Sequence, residues 1–442
     1  MKKTKIGFIS LGCPKNQVDT EVMLSLLHED GYELTGEDIE ADIIIVNTCA
    51  FIESAKKESI DNILDVAWLK ENRTLKGIVV CGCMAQRYAD EIERELPEVD
   101  AIVGTGSLRD IVEAVKAVER GEKYRSVKPN EELPLGGDRI ITTPDYFAYL
   151  KVAEGCDNRC AYCAIPSIRG GFRSRTMEDI VAEAVTLEKL GVKELALIAQ
   201  DTTRYGLDLY GEYRLPELIR AITEATSIPW LRLLYCYPDK ITDALVAELR
   251  DNDRLVKYID LPVQHISDKI LTAMNRHGGS DAIRSAIMKL RENVPGIIIR
   301  STAIVGFPGE SKSDFGELCE FIKEAKFDRF GAFTFSREEG TAAYDLPGQV
   351  AEQEKQRRLD KLMAIQLEIH EQKNRALIGK SLTVLCEGFD VVSEIYFGRS
   401  YADAPEIDGK IYFSSTDKIN EGEFVTVRID EAVDYDLRGE TV

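Results

Sequence analysis

Four short apolar runs punctuate the first 120 residues, and helix-like segments separate them. The segments between the runs repeat apolar residues at helical spacing, as at Val18, Val22, Leu26 and Leu27. The predicted strands are KIGFIS (5–10), DIIIVNT (42–48), GIVVCG (77–82) and AIVG (101–104). Short buried strands that alternate with helices predict an open parallel α/β sheet, which binds ligands at the carboxyl ends of its strands.

Six further strand-like runs, again separated by helical patterns, extend over the middle of the chain. MEDIVAEAVTLEKLG and KSDFGELCEFIKEAK are two of the helical segments between them. The predicted strands are Phe147–Ala153, Leu195–Ala199, Leu231–Tyr235, Tyr258–Leu261, Ile297–Ile304 and Phe330–Phe335. Six β-α units in tandem predict an incomplete TIM-like (β/α)6 barrel, with function at the carboxyl ends of the strands.

The last part of the chain changes character. A charged, helix-favouring segment spans residues 349–379, and β-rich pieces separated by Gly, Asp and Asn follow it. These pieces predict a small all-β module, a barrel of five strands. A polar stretch with several Pro and Gly residues separates the two α/β alternations and indicates a linker. The predicted divisions are an amino-terminal domain at 1–120, a linker at 121–141, the barrel at 142–375 and the β module at 376–442.

Three cysteines of the first domain occupy equivalent positions. Cys13, Cys49 and Cys83 each lie just past the carboxyl end of a predicted strand. Because these ends share one edge of the sheet, we expect the three thiols to meet in space. Cys81 lies inside a strand and is interpreted as a core residue, since a free cysteine is commonly a small buried hydrophobe.

A second trio of cysteines stands in EGCDNRCAYCAIPSIRGGFRSR, directly after the first strand of the predicted barrel. The residues are Cys156, Cys160 and Cys163, a C-x3-C-x2-C spacing. A structural zinc site usually pairs two cysteines with a second pair of Cys or His, and no fourth such ligand lies nearby in the sequence. A [4Fe–4S] cluster held by three thiolates fits better, because one iron then stays open for a ligand.

Composition narrows the cellular setting and the class of partner. No apolar run is long enough to span a membrane, and the amino terminus lacks the features of a signal peptide, so we expect a cytoplasmic protein. The formal net charge is −21, which favours a basic protein partner over general nucleic-acid binding. The alternative is an acidic surface that only keeps the protein soluble.

The cysteine motif, with an aromatic residue before its last cysteine and a β/α barrel around it, resembles the radical S-adenosylmethionine (SAM) superfamily. The resemblance implies that the open iron binds SAM and that SAM is cleaved to a 5′-deoxyadenosyl radical. With the amino-terminal cysteines and a carboxyl-terminal module that resembles a TRAM domain, nearly the whole chain resembles the methylthiotransferases. That family implies a second [4Fe–4S] cluster at Cys13, Cys49 and Cys83, from which sulfur is delivered.

Methylthiotransferases act either on an adenosine in tRNA or on an aspartate of small-subunit ribosomal protein twelve. SLGCPKNQVDTE (10–21), DLPVQHIS (260–267) and FSREEGTAAY (335–344) resemble the second, RimO-type branch. The module at 379–442 has six Lys and Arg against fourteen Asp and Glu, which suits a basic ribosomal protein rather than tRNA. The alternatives are a tRNA adenosine methylthiotransferase and a non-enzymatic zinc or redox protein. The resemblance also implies an electron donor such as flavodoxin or ferredoxin.

Several residues are candidate contacts of SAM, and no catalytic residue is predicted beyond the two clusters. By resemblance, Tyr162 packs on the adenine and Gln200 and Asp201 lie where the amino group of SAM binds; a plain core role is the alternative for Tyr162. Gln264 is a candidate because it follows a predicted strand, and Arg175 because arginine binds carboxylates. Gly306 lies in a Gly-rich loop at a strand end, although such a loop is also common in ordinary turns. The predicted cofactor-binding residues are Tyr162, Arg175, Gln200, Asp201, Gln264 and Gly306.

Overall fold

The computed structural model describes residues 3–132 and 135–442. The first domain is a six-stranded sheet of parallel strands in the order β2-β1-β3-β4-β5-β6. Buried apolar clusters cover both of its faces, as the continuous apolar runs predict. Its strands are β1 (Lys5–Ser10), β2 (Glu33–Thr35), β3 (Ile43–Thr48), β4 (Gly77–Gly82), β5 (Ala101–Gly104) and β6 (Tyr124–Ser126). Its helices are α1 (Pro14–Glu29), α2 (Glu53–Asn72), α3 (Cys83–Arg87), α4 (Ala89–Glu95) and α5 (Ile111–Glu119).

The two outer strands of this sheet differ from the sequence prediction. Strands β2 and β6 were not predicted, because each has only three residues and little apolar character. Strand β6 pairs in parallel with β5, so part of the segment interpreted as a linker completes the first sheet. The sheet therefore extends past residue 120.

The middle of the chain forms an open sheet of six parallel strands in the order β14-β13-β12-β11-β10-β7, which confirms the incomplete barrel. Its strands, with the short antiparallel pair β8 and β9 that flanks the cysteine loop, are β7 (Phe147–Lys151), β8 (Ala153–Glu154), β9 (Arg173–Ser174), β10 (Glu194–Ile198), β11 (Trp230–Leu233), β12 (Leu255–Asp260), β13 (Ile298–Val305) and β14 (Arg329–Thr334). Its helices are α6 (Ile165–Arg169), α7 (Met177–Lys189), α8 (Leu207–Tyr210), α9 (Leu215–Ala225), α10 (Asp243–Asp251), α11 (Asp268–Ala273), α12 (Gly279–Asn293), α13 (Lys312–Ala325) and α14 (Glu352–Arg375). Short 3-10 turns are Asp38–Glu40, Thr105–Asp110, Asn130–Glu132, Thr202–Arg204, Pro238–Lys240 and Ala342–Asp345.

The carboxyl-terminal module is a closed barrel of five strands in the order β15-β16-β17-β19-β18, as predicted. Its strands are β15 (Ser381–Asp390), β16 (Ile395–Ser400), β17 (Ile411–Ser414), β18 (Phe424–Val433) and β19 (Asp436–Thr441). Across the described ranges, none of the helices combines the length and apolar character needed to cross a bilayer.

The β module covers one face of the open barrel. Leu385 and Ala404 pack into the same buried cluster as Val18 of α1 and residues of the barrel strands. Ion pairs reinforce this contact, with Arg399 Nη2 at 2.8 Å from Glu194 Oε2 of β10. One buried cluster therefore joins all three parts of the chain, and the carboxyl ends of the barrel strands face the amino-terminal domain.

Candidate active site

The amino-terminal cysteines lie together at the carboxyl edge of the first sheet. Cys13 caps α1 after β1, Cys49 directly follows β3, and Cys83 begins α3 directly after β4. The thiols are close enough that Cys13 and Cys49 act electrostatically on Cys83, and burial with this repulsion raises the pKa of Cys83 to about 12. At Gly12, with φ +94°, a Cβ atom would lie 3.2 Å from Cys49 Sγ, so only glycine lets the loop pass this thiol.

The second trio occupies the loop between β8 and α6. A turn closes it, in which the Cys163 amide donates to the Cys160 carbonyl at 3.0 Å. Burial, followed by repulsion from Cys160, raises the pKa of Cys163 to about 12, and burial raises the pKa of Cys156 to about 11. Thiols of this kind stay protonated at neutral pH unless a strongly positive ligand takes up their electrons.

Buried polar side chains fix the cysteine loop from the barrel side. Asn158 Nδ2 lies 3.5 Å from Cys156 Sγ and donates to Asp201 Oδ2 at 2.7 Å. Lys240 Nζ donates to the same Asp201 oxygen at 2.7 Å and to Asn158 Oδ1 at 3.0 Å. The hydroxyl of Thr203 donates to the other oxygen of Asp201 at 2.6 Å. Asp201 therefore positions the loop through Asn158 and is itself held by Lys240 and Thr203.

Aromatic and cationic side chains surround Cys160. Its sulfur lies 2.8 Å from the Tyr237 hydroxyl, and the Arg276 guanidinium stacks 3.9 Å from the centre of the Tyr237 ring. Arg276 and Tyr162 also lie close enough to Cys160 to interact with it electrostatically. Tyr162 packs against the apolar cluster that includes Phe307. Tyr237 and Arg276 were not predicted, because Tyr237 follows β11 and Arg276 lies between α11 and α12, and both reach this thiol only through the fold.

A buried network of ionised side chains joins the two cysteine sites. Lys151 Nζ donates to Asp19 Oδ1 at 2.6 Å and to Glu154 Oε2 at 2.9 Å. Arg169 Nη1 donates to the same two carboxylates at 2.6 and 3.2 Å. Arg169 Nη2 lies 3.5 Å from Cys83 Sγ, although Arg169 follows the second trio in sequence. The guanidinium therefore bridges the barrel and the amino-terminal trio.

Two glutamines at the barrel mouth present buried oxygen atoms without a protein donor. Gln200 Nε2 donates to Glu154 Oε1 at 2.5 Å, but neither Gln200 Oε1 nor Gln264 Oε1 has a hydrogen-bond partner among the described residues. Gln264 also has left-handed backbone geometry, with φ +67°. Buried acceptors of this kind are usually satisfied, so these oxygens point to a ligand with donors.

Two other predicted cofactor contacts are engaged elsewhere. Arg175 forms ion pairs with Asp179 and Glu183 and donates to the Lys151 carbonyl, so its nitrogens are already used. Gly306 packs against Lys355 of α14, where a Cβ atom would lie 2.3 Å from Lys355 Cγ. The geometry supports neither as a direct contact of a cofactor, and both stay predictions without structural support.

No group of three or more His, Cys, Asp or Glu side chains within residues 3–132 and 135–442 is arranged to hold a single metal ion. The cysteine trios therefore stand as two sets of neighbouring thiols, each at the carboxyl ends of parallel strands. One set belongs to the first sheet and the other to the barrel.

Comparison with known families divides the chain as the fold does. Residues 5–104 match the family described as uncharacterized protein family UPF0004, residues 150–322 match the radical SAM superfamily, and residues 378–442 match the TRAM domain. A curated relative from Pelotomaculum thermopropionicum, ribosomal protein uS12 methylthiotransferase RimO, is 50% identical and covers 99% of both chains. The chain belongs to the RimO family. A RimO protein of Acetivibrio thermocellus is 48% identical over 100% of this chain and 99% of its own length.

Solved structures support the fold of this RimO-family chain. The radical SAM methyltransferase TsrM of Kitasatospora setae, with cobalamin and a [4Fe–4S] cluster bound, aligns with a TM-score of 0.57 over 77% of each chain. The sequences are 14% identical, so the likeness concerns the fold alone.

Membership of the radical SAM superfamily implies a [4Fe–4S] cluster and SAM. The residues of this RimO-family chain fit that requirement, because a single loop offers three thiols and leaves a fourth position open. Arg276 also places a positive charge beside the cysteine loop. The free oxygens of Gln200 and Gln264 suit an ammonium donor such as the amino group of SAM.

His265, next to Gln264, is expected to make stability depend on pH. Burial lowers the pKa of His265 to about 4 from its ordinary 6.5, because the ring is held neutral inside the barrel. Between these pH values the unfolded chain binds a proton at His265 and the folded chain does not. The free energy of unfolding therefore falls by about 3 kcal/mol as pH drops through this range.

The measurement is the unfolding midpoint of wild-type and His265→Gln protein between pH 7 and about pH 4. The substitution is expected to flatten the slope, whereas His28→Gln, at an exposed position, keeps it. An equal slope in all three proteins would show that other groups control the acid sensitivity.

Proposed function

We propose that this protein replaces a β-hydrogen of one aspartate in ribosomal protein uS12 with a methylthio group. The observation that carries the proposal is the similarity, at about half of all positions and over the whole length, to proteins named for this activity. The placement of two cysteine trios on either side of one buried ion network supports it.

Two sets of residues would hold the cofactors. Cys156, Cys160 and Cys163 would bind the cluster of the radical SAM domain, and Cys13, Cys49 and Cys83 would bind a second [4Fe–4S] cluster. When bound, these groups and SAM supply the radical that removes an unactivated hydrogen and the sulfur that replaces it. The chain itself supplies fixed positions, charge and exclusion of water.

The residues around the first trio orient the cysteine loop and its ligand. Asn158, held by Asp201 and Lys240, sets the position of Cys156. The Gln200 and Gln264 oxygens would accept hydrogen bonds from the amino group of SAM. Tyr162 would pack on its adenine.

The charge of the chain favours uS12 over tRNA. The β module is acidic, whereas a surface that binds the phosphates of tRNA needs clustered Lys and Arg. A basic ribosomal protein complements this acidic surface. We therefore propose that the enzyme works in the cytoplasm, receives electrons from a protein such as flavodoxin or ferredoxin, and does not bind tRNA directly.

An anaerobic turnover assay tests the substrate. The reconstituted enzyme receives SAM, a reductant and sulfide, with either uS12 or unmodified tRNA, and both are analysed by mass spectrometry. A methylthio group on an aspartate-containing peptide of uS12, with none on tRNA, is the expected result. Modification of tRNA with no change in uS12 would replace the proposal with the tRNA alternative.

A further inference from the structure

One buried lysine at the site has no carboxylate partner. Lys15 is 6% exposed, and among the residues that the structure describes no acidic side chain forms an ion pair with it. Its ammonium instead lies 3.1 Å from the centre of the Tyr235 ring. The other buried lysines of the site differ, because Lys151 and Lys240 each contact a carboxylate at 2.6–2.7 Å.

Two carboxylates and the Cys13 thiol act electrostatically on Lys15, and the two carboxylates are committed to other cations. Glu154 is shared by Lys151 and Arg169, and Asp260 Oδ1 accepts from Arg300 at 2.9 Å. A buried ammonium without an opposite charge is unfavourable, and burial lowers the pKa of Lys15 accordingly. An anionic ligand beside Lys15 would offset this cost.

Lys15 lies where the two cysteine sites face each other. It stands in the first turn of α1, two residues after Cys13, and α1 begins with Cys13 as its cap. Tyr235, beneath its ammonium, follows β11 at the carboxyl end of the barrel. Tyr235 has φ +61°, an unfavourable geometry for an aromatic residue that is typical of functional sites.

We propose that Lys15 binds the side-chain carboxylate of the substrate aspartate. The inference rests on the proposed function, since it assigns a residue to the substrate named there. An ammonium in this place would hold the carboxylate through a charge-assisted hydrogen bond and keep the adjacent β-carbon next to the Cys13 site. The carboxylate of SAM offers the same chemistry, and the experiment below distinguishes the two sources.

The test replaces Lys15 with a neutral side chain of similar shape. Lys15→Met is expected to lower kcat/KM for uS12 by about 100-fold, through loss of a buried charged contact, while the KM for SAM stays within about twofold. The exposed Lys57→Met is the matched control for loss of one positive charge and is expected to behave as wild type.

A binding measurement gives a readout independent of turnover. Wild-type protein is expected to bind a uS12 peptide with the target aspartate at least about tenfold more tightly than its Asp→Asn counterpart, and Lys15→Met to lose this preference. The melting temperature of Lys15→Met should not fall, because no ion pair is broken. A lower melting temperature with an unchanged peptide preference would make Lys15 a structural residue.

The outcomes separate this inference from the proposed function. If wild-type protein modifies uS12 and Lys15→Met does so with equal kcat/KM, the assignment of Lys15 is wrong and the proposed function stands. If Lys15→Met raises the KM for SAM instead, the anion at this site is the cofactor carboxylate. If wild-type protein leaves uS12 unmodified, the proposed function fails and this assignment fails with it.

Discussion

Cys83→Ala is expected to abolish methylthiolation of uS12, with a loss of at least about 100-fold, and to remove the iron of one cluster. Cys83 lies with Cys13 and Cys49 at one sheet edge. If Cys83 is removed, the other two cysteines of this trio cannot replace the third thiolate. The loss should leave cleavage of SAM at the barrel site detectable, since that site has its own three cysteines. Iron analysis, 5′-deoxyadenosine release and peptide mass spectrometry measure the three effects.

The segment that contains Cys83 also provides its control. Cys81 lies two residues earlier on β4 and is fully buried in the apolar core of the sheet. Cys81→Ala should keep the iron and most of the activity, at a cost of about 1 kcal/mol in stability from the small cavity. Equal loss of iron in the two variants would mean that disruption of the sheet edge, and not loss of a ligand, explains the effect of Cys83→Ala.

Arg169→Met is expected to lower stability by about 3–5 kcal/mol and to lower activity at both cysteine sites. The substitution leaves the Asp19 and Glu154 carboxylates with Lys151 as the remaining cation of their network. Although burial opposes ionisation, Lys151 and Arg169 hold the pKa of Glu154 well below its ordinary value. The ion pairs of ionised Glu154 therefore stabilise the folded chain at neutral pH, and this stabilisation is lost as pH falls toward the lowered pKa.

Unfolding midpoints of Arg169→Met, Asp19→Asn and the double variant measure this coupling. The double variant should lose less stability than the two single variants lose together, because removing both partners leaves no unpaired charge from this ion pair. Strictly additive losses would show that Arg169 and Asp19 do not stabilise each other.

The sequence predicts the long apolar strands of the fold well, and the short outer strands poorly. Strand β3 is buried along its whole length and reads as a continuous apolar run, whereas β2 and β6 have three residues each at the two edges of the sheet. Short edge strands depend on pairing with a neighbour rather than on their own pattern. The contacts between the β module and the barrel also depend on distant partners and could not be predicted from local sequence patterns.

The position of the amino-terminal cysteines at one sheet edge could be predicted from the sequence, whereas the side chains around the second trio could not. Equivalent positions after parallel strands place distant cysteines at one edge, so the pattern of predicted strands is enough to predict that these cysteines meet. Tyr237, Arg276 and Lys240 reach the second cysteine loop from distant parts of the barrel, and nothing in their local sequence marks them. The ligand contacts predicted for Arg175 and Gly306 instead meet partners within the protein, which only the packing reveals.

Transfer of deuterium from uS12 to the cofactor tests the central claim most directly. The substrate is uS12 prepared with deuterium on the β-carbon of its aspartates, and the 5′-deoxyadenosine and the uS12 peptides are analysed by mass spectrometry after anaerobic turnover. The account predicts deuterium in 5′-deoxyadenosine together with a methylthio group on one aspartate. Methylthiolated peptide without deuterium transfer, or 5′-deoxyadenosine formed with no change in uS12, would contradict it.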